Sequence, residues 1–276
     1  MLTISLISFI LAVPLFAHKI TATVFTRIVA IVLFYSAILT WNSLYYLPLS
    51  QGGVGLYSGL FHVSTTTLAF QILVCVVGAI LLAGWGPTTY NQKLGNSKVG
   101  IERSVSINTN FVHVNTINEY SMIVLFSVLG SVLLISSYNF LSMYMGIELQ
   151  SFAAYILCSL YRNSQSATFA GLKYFLLGSL ASGIIVLGTA IIYAGTGITG
   201  FDDLATLISV GDISSANTYV TLSIAGGLLL IGIGYIFKVG AAPLYNWAPD
   251  VYDGVPTIIT SWVSTMPKIG ILVFLL

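Results

Sequence analysis

Four charged residues occur inside stretches of sequence that are otherwise apolar, namely Glu148, Lys173, Lys238 and Lys268. A charge at the centre of a lipid bilayer costs roughly 2.5–3.5 kcal/mol on insertion scales, so such residues normally line an ion pathway or pair with each other. Carboxylates and amines can also exchange protons. The four residues therefore predict proton or cation translocation, and they form the candidate site.

The composition predicts an all-α, polytopic membrane protein. Of the 276 residues, 57% are hydrophobic and only 6% are charged, whereas about 25% of residues are charged in soluble domains. Apolar runs long enough to cross a hydrocarbon core of about 30 Å recur along the chain. The net charge of +1 gives no basic surface for a nucleic acid, and the apolar segments make lipid the expected partner.

Polar residues divide the chain into eight apolar segments, each of which we predict to be a transmembrane helix. Their approximate bounds are residues 2–17, 24–47, 66–86, 119–136, 139–161, 167–194, 219 onward and 256 onward. A three-helix region with a polar loop, residues 1–118, thus precedes a five-helix region, residues 119–276. The connections at 51–59 and around Asp202, Asp203 and Asp212 are predicted to be loops.

The basic residues outside the apolar segments support this count. They all fall in alternate connections and are Lys19, Arg27, Lys93, Lys98, Arg103 and Arg162. Basic residues collect on the inner side of a membrane. Eight segments place all six residues on that side and the N-terminus on the outer side.

The seventh segment is interrupted. Lys238 is followed by Gly240 and Pro243, and then by an amphipathic stretch, Tyr245–Val251. Backbone groups freed by a break at membrane depth are tolerated only where protein or water satisfies them, and broken helices recur at ion sites of transporters. This pattern predicts a discontinuous seventh helix with Lys238 as the strongest single site.

The other charged residues leave alternatives open. Glu148 lies near the middle of its segment, where it is a proton carrier or a structural ion-pair or hydrogen-bond partner. Lys173 lies roughly 11 Å from the depth of Glu148 at the helical rise, so direct pairing needs extended side chains or a bridging water. Lys173 can instead extend to the interface. Pro267 predicts a kink just before Lys268.

Other chemistry has little support in the sequence. Three histidines lie in loops or at their edges, His18, His62 and His113, so no helix offers ligands for a haem. Cys75 and Cys158 fall in apolar runs, which disfavours a disulfide. Asp250 and Asp253 are interpreted as turn and capping residues, with a proton exit as the alternative.

Four motifs carry a resemblance to a known family. In chain order they are MGIELQSFAAYIL, AGLKYFLLGSLASG, FKVGAAPLYNWAPDVYDGVPT and MPKI. They resemble the antiporter-like membrane subunits of respiratory complex I, with ELQS favouring NADH–ubiquinone oxidoreductase chain 2 over chains 4 and 5. The resemblance covers about residues 120–276, and residues 1–118 are similar only in being apolar helices.

The resemblance implies a role for each charged residue. Glu148 is similar to the acid of the fifth helix that gates proton entry or couples to a neighbouring subunit. Lys173, Lys238 and Lys268 are similar to the lysines of the sixth, broken seventh and eighth helices. Together they imply a hydrated half-channel that leads to a central axis of charges, driven by quinone reduction elsewhere.

The resemblance also implies the surroundings of the chain. Flavin, iron–sulfur clusters and quinone are expected in partner subunits, with no redox cofactor here. Neighbouring antiporter-like subunits of complex I are the expected partners. The implied location is the mitochondrial inner membrane, with a bacterial plasma membrane as the alternative.

Two features depart from the family pattern. Tyr245 stands where the family commonly has histidine, which weakens any histidine step. The family core has two inverted five-helix repeats, and this sequence resembles only the first. The sequence therefore predicts that a separate chain from a split gene supplies the second repeat, or that the sequence is truncated.

Two other functions compete with a complex I subunit. A Mrp-type cation/proton antiporter subunit has the same charged helices, and a membrane scaffold would use the charges as static ion pairs. Copurifying subunits distinguish the first alternative, and the effect of Lys238→Met on transport distinguishes the second.

Overall fold

The computed structural model describes residues 1–16, 22–46, 53–84, 119–162, 164–210 and 218–276. These residues form ten α-helices and one two-stranded hairpin. The elements are α1 (Leu2–Phe16), α2 (Ala22–Tyr46), β1 (Val54–Leu56), β2 (Phe61–Val63), α3 (Thr65–Gly84), α4 (Glu119–Ile135), α5 (Phe140–Ser159), α6 (Gln165–Thr196), α7 (Phe201–Val210), α8 (Thr218–Val239), α9 (Trp247–Gly254) and α10 (Thr257–Leu275).

Six of the described helices are long and apolar enough to cross a membrane, namely α2, α3, α5, α6, α8 and α10. Two further apolar helices, α1 and α4, have 15 and 17 residues and are shorter than a usual span. These eight helices lie where the eight apolar segments were predicted, within a few residues. The chain is a helical membrane protein, and eight crossings stay a prediction.

Three local predictions were wrong. Arg27, placed in a connection, is an exposed residue of α2. The glycine-rich stretch predicted to be a loop contains β1, which pairs with β2 just after that stretch, Val54 with Val63. The acidic loop contains α7, whose first turn carries Asp202 and Asp203, because carboxylates are favourable at a helix N-terminus.

Several residues of the sequence analysis lie outside the described part of the chain. They are His18, Lys19, Lys93, Lys98, Arg103, His113 and Asp212, together with the proposed boundary at residue 118.

Tyr138, between α4 and α5, joins the hairpin to α7. Its backbone N–H donates to the Leu60 carbonyl over 3.1 Å, and its carbonyl accepts from the Phe201 N–H over 3.2 Å. The ring stacks on His62 with the centroids 5.0 Å apart. The hydroxyl donates to the Asp202 carboxylate. This last bond raises the pKa of Tyr138 to about 12, because it stabilises the protonated phenol.

The helices pack into two buried clusters. One contains residues of α1 to α6, α9 and α10, and the other contains residues of α4 to α8 and α10. Helices α6 and α8 cross at Gly188 and Gly227, where a Cβ on Gly188 would lie 2.7 Å from the Gly227 carbonyl oxygen. Small residues permit such close helix contacts in membranes. The outer surface of α6 exposes Phe169, Leu176 and Leu180, as expected of a helix that faces lipid.

Candidate functional site

The predicted interruption of the seventh segment is present between α8 and α9. Gly240 takes a left-handed conformation with φ 73°, which glycine adopts without a Cβ penalty. Its N–H donates to the carbonyls of Ile236 and Phe237 over 3.1 and 3.0 Å, and so closes the last turn of α8. The chain then passes a cis Ala242–Pro243 bond before α9 begins. The break places Lys238 one residue before the end of α8.

Lys238 is buried and contacts two residues of α5. Its ammonium donates to the Ser151 hydroxyl over 2.8 Å and to Glu148 Oε1 over 3.4 Å. The side chains of Lys238 and Glu148 are only 5% and 13% exposed. Glu148 and Ser151 are three residues apart and therefore share a face of α5. We call Lys238, Glu148 and Ser151 the buried pair site.

Ser151 was not among the predicted site residues. The signal was available, because a serine three residues after Glu148 must project from the same face of α5 as the carboxylate. A hydroxyl donates and accepts hydrogen bonds, so Ser151 can accept from the lysine while it donates elsewhere.

Lys173 on α6 has a different partner. Its ammonium forms an ion pair with the carboxylate of Asp250 on α9, and these side chains are 34% and 56% exposed. Glu148 and Lys173, whose pairing the sequence left open, thus bind separate partners. Asp250, interpreted as a turn residue, joins α9 to α6. We call Lys173 and Asp250 the surface pair.

Lys268 approaches the break from α10. Its ammonium lies 5.5 Å from the centroid of the Tyr252 ring, in the geometry of a cation–π contact. A Cβ on Gly240 would be 3.8 Å from the same nitrogen, so Lys268 lies beside the left-handed turn. Helix α10 continues through Pro267.

Trp247 contacts one residue next to Lys238 and one residue next to Lys173. Its indole N–H donates to the Phe237 carbonyl over 2.9 Å, next to Lys238 in the chain. Its ring stacks on Tyr174, next to Lys173, with centroids 4.6 Å apart and an interplanar angle of 12°. Trp247 is 2% exposed. Trp247 was not among the predicted site residues, although a tryptophan within an amphipathic stretch indicates a docked helix face.

All four predicted residues therefore contact the α8–α9 connection or the helices it joins, but in three separate groups. Lys238 pairs with Glu148, Lys173 pairs with Asp250, and Lys268 lies over Tyr252. Among the described residues, no group of three His, Cys, Asp or Glu side chains is arranged to hold a metal ion. The chemistry that this arrangement supports is proton exchange between amines, carboxylates and hydroxyls.

Comparison with known proteins agrees with this architecture. Residues 137–276 match the family described as NADH:quinone oxidoreductase/Mrp antiporter, TM. NADH-ubiquinone oxidoreductase chain 2 of Rhizopus oryzae is 46% identical over 281 residues, which cover 100% of this chain and 50% of the relative. NADH-quinone oxidoreductase subunit N of Paramagnetospirillum magneticum is 44% identical over 157 residues, which cover 57% of this chain and 32% of the relative.

Two solved structures share the fold. A chain of respiratory complex I from Thermus thermophilus with bound aureothin has a TM-score of 0.68 at 24% identity, with 100% of this chain and 52% of that chain covered. A chain of the Mrp complex from Dietzia sp. DQ12-45-1b has a TM-score of 0.65 at 15% identity, with 95% and 44% covered.

The chain spans about half the length of the Rhizopus relative, and its matched stretch of 157 residues covers about a third of the bacterial one. The family match covers 137–276 and therefore includes α5, the break and α10 with all four charged residues. The resemblance inferred from the four sequence motifs is confirmed, and the chain belongs to the NADH:quinone oxidoreductase/Mrp antiporter family of membrane proteins.

Proposed function

We propose that this chain is a proton-translocating membrane subunit of an NADH:ubiquinone oxidoreductase. One observation carries this function, namely the buried pair of Lys238 and Glu148 at the end of a broken helix. An ion pair with side chains 5% and 13% exposed is costly to build, because both groups lose hydration. Buried ionisable pairs inside membrane segments mark ion and proton pathways.

The pair offers a donor and an acceptor for one proton. A protonated Lys238 is stabilised by the Glu148 carboxylate at 3.4 Å. If Glu148 gains a proton or its charge is compensated, this stabilisation is lost and the ammonium releases its proton more readily. Any event that changes the charge around Glu148 would therefore load or unload Lys238. That coupling is the property required of a charge-driven proton carrier.

Lys268 is the proposed next group after Lys238. It lies beside Gly240, just beyond the end of α8, while Lys238 lies just before that end. The Tyr252 ring can stabilise its ammonium without adding a second carboxylate. A proton could thus pass from one side of the break to the other. Lys173, which faces Asp250 near the surface, is proposed to act at the exit or to hold α9 in place.

The names of the relatives support the assignment to a respiratory enzyme. The relatives at 46% and 44% identity are named as subunits of NADH-ubiquinone and NADH-quinone oxidoreductases. We therefore propose that flavin, iron–sulfur clusters and quinone belong to partner subunits and that this chain performs no redox chemistry. A mitochondrial inner membrane is proposed as its location. Eight membrane crossings, the inverted repeat and a second repeat supplied by a separate chain also remain predictions, with a truncated sequence as the alternative to the separate chain.

Replacement of Lys238 tests the proton function. We expect Lys238→Arg to keep the pair with Glu148 but to lose proton translocation, because a guanidinium in a protein does not give up its proton. Lys238→Met should abolish translocation as well. The measurement is the rate of proton uptake into sealed vesicles that contain the assembled complex, together with its NADH oxidation rate.

Arg162→Lys is the control, since it also exchanges arginine and lysine, at an exposed position in the connection between α5 and α6. It should retain most of the translocation. Full proton transport by an assembled Lys238→Arg complex would show that the charges form a static scaffold. Copurification with a cation antiporter and without NADH-oxidising subunits would favour the Mrp function, which the family description also includes.

A further inference from the structure

Ser151 in the buried pair site has a proton to donate. Its oxygen accepts a hydrogen bond from the Lys238 ammonium over 2.8 Å. Many serines of these helices donate to the carbonyl three or four residues earlier, as Ser131 and Ser182 do. In the described part of the chain, Ser151 makes no such bond. Because a buried hydroxyl that cannot donate is costly, the Ser151 proton needs another acceptor.

The hydroxyl of Tyr155 is placed to be that acceptor. Tyr155 follows Ser151 by four residues on α5, so the two side chains share a face of the helix. Its hydroxyl interacts with the side chains of both Ser151 and Ser182, the latter on α6. A phenol accepts and donates hydrogen bonds. Tyr155 can therefore accept from Ser151 and donate to Ser182.

Helix α6 leaves room for this phenol at Gly178. A Cβ on Gly178 would overlap the hydroxyl oxygen of Tyr155, so a larger residue there would displace it. The Tyr155 ring packs edge-on against Tyr174, also on α6, with the centroids 4.7 Å apart and an interplanar angle of 88°. Tyr155 is 5% exposed. The glycine and the aromatic contact together hold the hydroxyl against α6.

The series of hydroxyls ends on the backbone of α6. Ser182 donates to the Gly178 carbonyl over 3.1 Å. The donors thus follow one order, from Lys238 to Ser151, Tyr155, Ser182 and the carbonyl. A backbone carbonyl accepts a hydrogen bond but has no proton to pass on. The series can therefore orient Lys238, but it offers no route for protons away from it.

We propose that Tyr155 and Ser182 are positioning residues for Lys238. They turn the oxygen of Ser151 toward the ammonium and favour the protonated lysine, because hydrogen bonds in such a series polarise one another. Helix α6 thereby acts on a lysine that it does not bind directly. The effect on proton transport rests on the proposed function, whereas the hydrogen bonds stand on the geometry alone.

Other titratable groups lie around Lys238 on the helices packed near it. Among the described residues they are Glu148 on α5, Tyr174 on α6, Tyr235 on α8, Tyr252 on α9 and Lys268 on α10. A variant that removes only the Tyr155 hydroxyl leaves all of them in the chain. A change in pH dependence then reports the lost hydroxyl.

Tyr155→Phe tests the role, because it removes the hydroxyl and keeps a ring against Tyr174. The rate of proton translocation by the assembled complex in sealed vesicles is measured over a range of pH. We expect its fall at high pH to begin about half a pH unit lower than in the wild type, since the protonated lysine is less stabilised. Ser182→Ala should shift the profile in the same direction. The double variant should shift it no further than Tyr155→Phe alone.

Two matched controls remove buried hydroxyls elsewhere. Tyr120→Phe removes a phenol hydroxyl from α4, where Tyr120 is 4% exposed. Ser36→Ala removes a serine hydroxyl from α2 that donates to the Leu33 carbonyl, as Ser182 does to Gly178. Both controls should keep the wild-type pH profile.

Electron cryomicroscopy maps of the assembly test the hydrogen bonds independently of transport. In the wild type, the Tyr155 oxygen should lie within hydrogen-bond distance of Ser151 and Ser182. In Tyr155→Phe, the Ser151 side chain should rotate away from Lys238 and donate to the Ile147 carbonyl, four residues earlier.

Four results would overturn the role of Tyr155. They are a wild-type map without its two hydrogen bonds, a Tyr155→Phe map with Ser151 unmoved, an unchanged pH profile in that variant, and an equal shift in Tyr120→Phe. If Tyr155→Phe does not assemble, Ser182→Ala and Ser36→Ala decide. If Lys238→Arg translocates protons fully, the proposed function fails and the maps alone decide the hydrogen bonds.

Discussion

Two lysine–carboxylate pairs connect helices in this protein, and they lie in opposite environments. In the buried pair site, Lys238 and Glu148 are 5% and 13% exposed and Ser151 supplies a further hydrogen bond. In the surface pair, Lys173 and Asp250 are 34% and 56% exposed. The protein leaves the surface pair partly uncovered, whereas it encloses the buried pair, which depends on its own groups.

The difference shows that lysines in similar apolar stretches of sequence can lie in different environments and bind different partners. Both lysines occur in long apolar helices, α6 and α8. Of these two lysines, Lys238 lies beside the end of its helix. Its side chain is enclosed by the protein and contacts the Glu148 carboxylate. Lys173 reaches a carboxylate on α9 that the rest of the protein leaves 56% exposed. We therefore expect mutations to separate the two sites by the size of their effects.

The largest effect on stability is expected from Glu148→Gln. It leaves the buried ammonium of Lys238 without its carboxylate, and breaking a buried pair in this way costs about 3–5 kcal/mol. Thermal unfolding of the purified assembly measures the loss. Glu119→Gln is the matched control, because Glu119 is exposed at the start of α4 and should change stability little.

Removal of both partners sharpens this result. In Glu148→Gln with Lys238→Met, no unpaired charge is left, so much of the lost stability should return while proton translocation stays absent. If the double variant is as unstable as Glu148→Gln alone, an unpaired ammonium is not the cause of the loss.

An intermediate effect is expected from Trp247→Phe, since Trp247 connects the two regions. The replacement keeps an aromatic ring against Tyr174 but removes the bond to the Phe237 carbonyl, which contributes about 1 kcal/mol. The unfolding midpoint should fall, and proton translocation should fall with it because α9 is less firmly docked. Trp41→Phe is the control, since Trp41 is 68% exposed on α2. Equal effects at both positions would remove Trp247 as the link.

A smaller effect is expected from Tyr252→Leu. It removes the aromatic ring below the Lys268 ammonium, a contact that contributes about 0.5–1 kcal/mol where it is partly exposed. Tyr252→Phe keeps the ring and should restore the wild-type unfolding midpoint. If Tyr252→Phe is as destabilised as Tyr252→Leu, the hydroxyl rather than the ring is responsible.

The smallest effect is expected from Lys173→Met. A partly exposed pair of this kind contributes about 0.2–1 kcal/mol, and salt screens it. The difference in unfolding midpoint between the wild type and Lys173→Met should shrink as the salt concentration rises. A loss as large as that of Glu148→Gln would mean that the surface pair is as isolated from water as the buried one, and the comparison between them would fail.

Much of the fold could be predicted because membrane helices leave a strong signal in the sequence. The apolar segments located α1 to α6, α8 and α10, and Gly240 with Pro243 located the break. Short elements with a weaker signal were missed. The β1–β2 hairpin lies in a glycine-rich stretch that predicts a loop, and α7 is a short helix among acidic residues. Both depend on contacts at Tyr138 that join distant parts of the chain.

The site was predictable as a set of residues but not as a set of contacts. Glu148, Lys173, Lys238 and Lys268 stood out because charge is rare in apolar sequence. Depth along a helix argued against a direct contact of Glu148 with Lys173, but it could not identify the true partner of either. Asp250 was interpreted as a turn residue, and Ser151 and Trp247 were not singled out, because their roles depend on which helix faces meet.

The sequence by itself determined the class of protein, the positions of its apolar helices, the break after Lys238 and the family. The class and the helices follow from local composition, since lipid requires long apolar helices with few charges. Gly240 and Pro243 indicated the break, and the resemblance of four motifs indicated the family. The tertiary structure decided the pairing. Lys238 meets Glu148 across 90 residues, and Lys173 meets Asp250 across 77. Such contacts depend on how each helix is rotated against its neighbours, which packing in three dimensions fixes and no local pattern records.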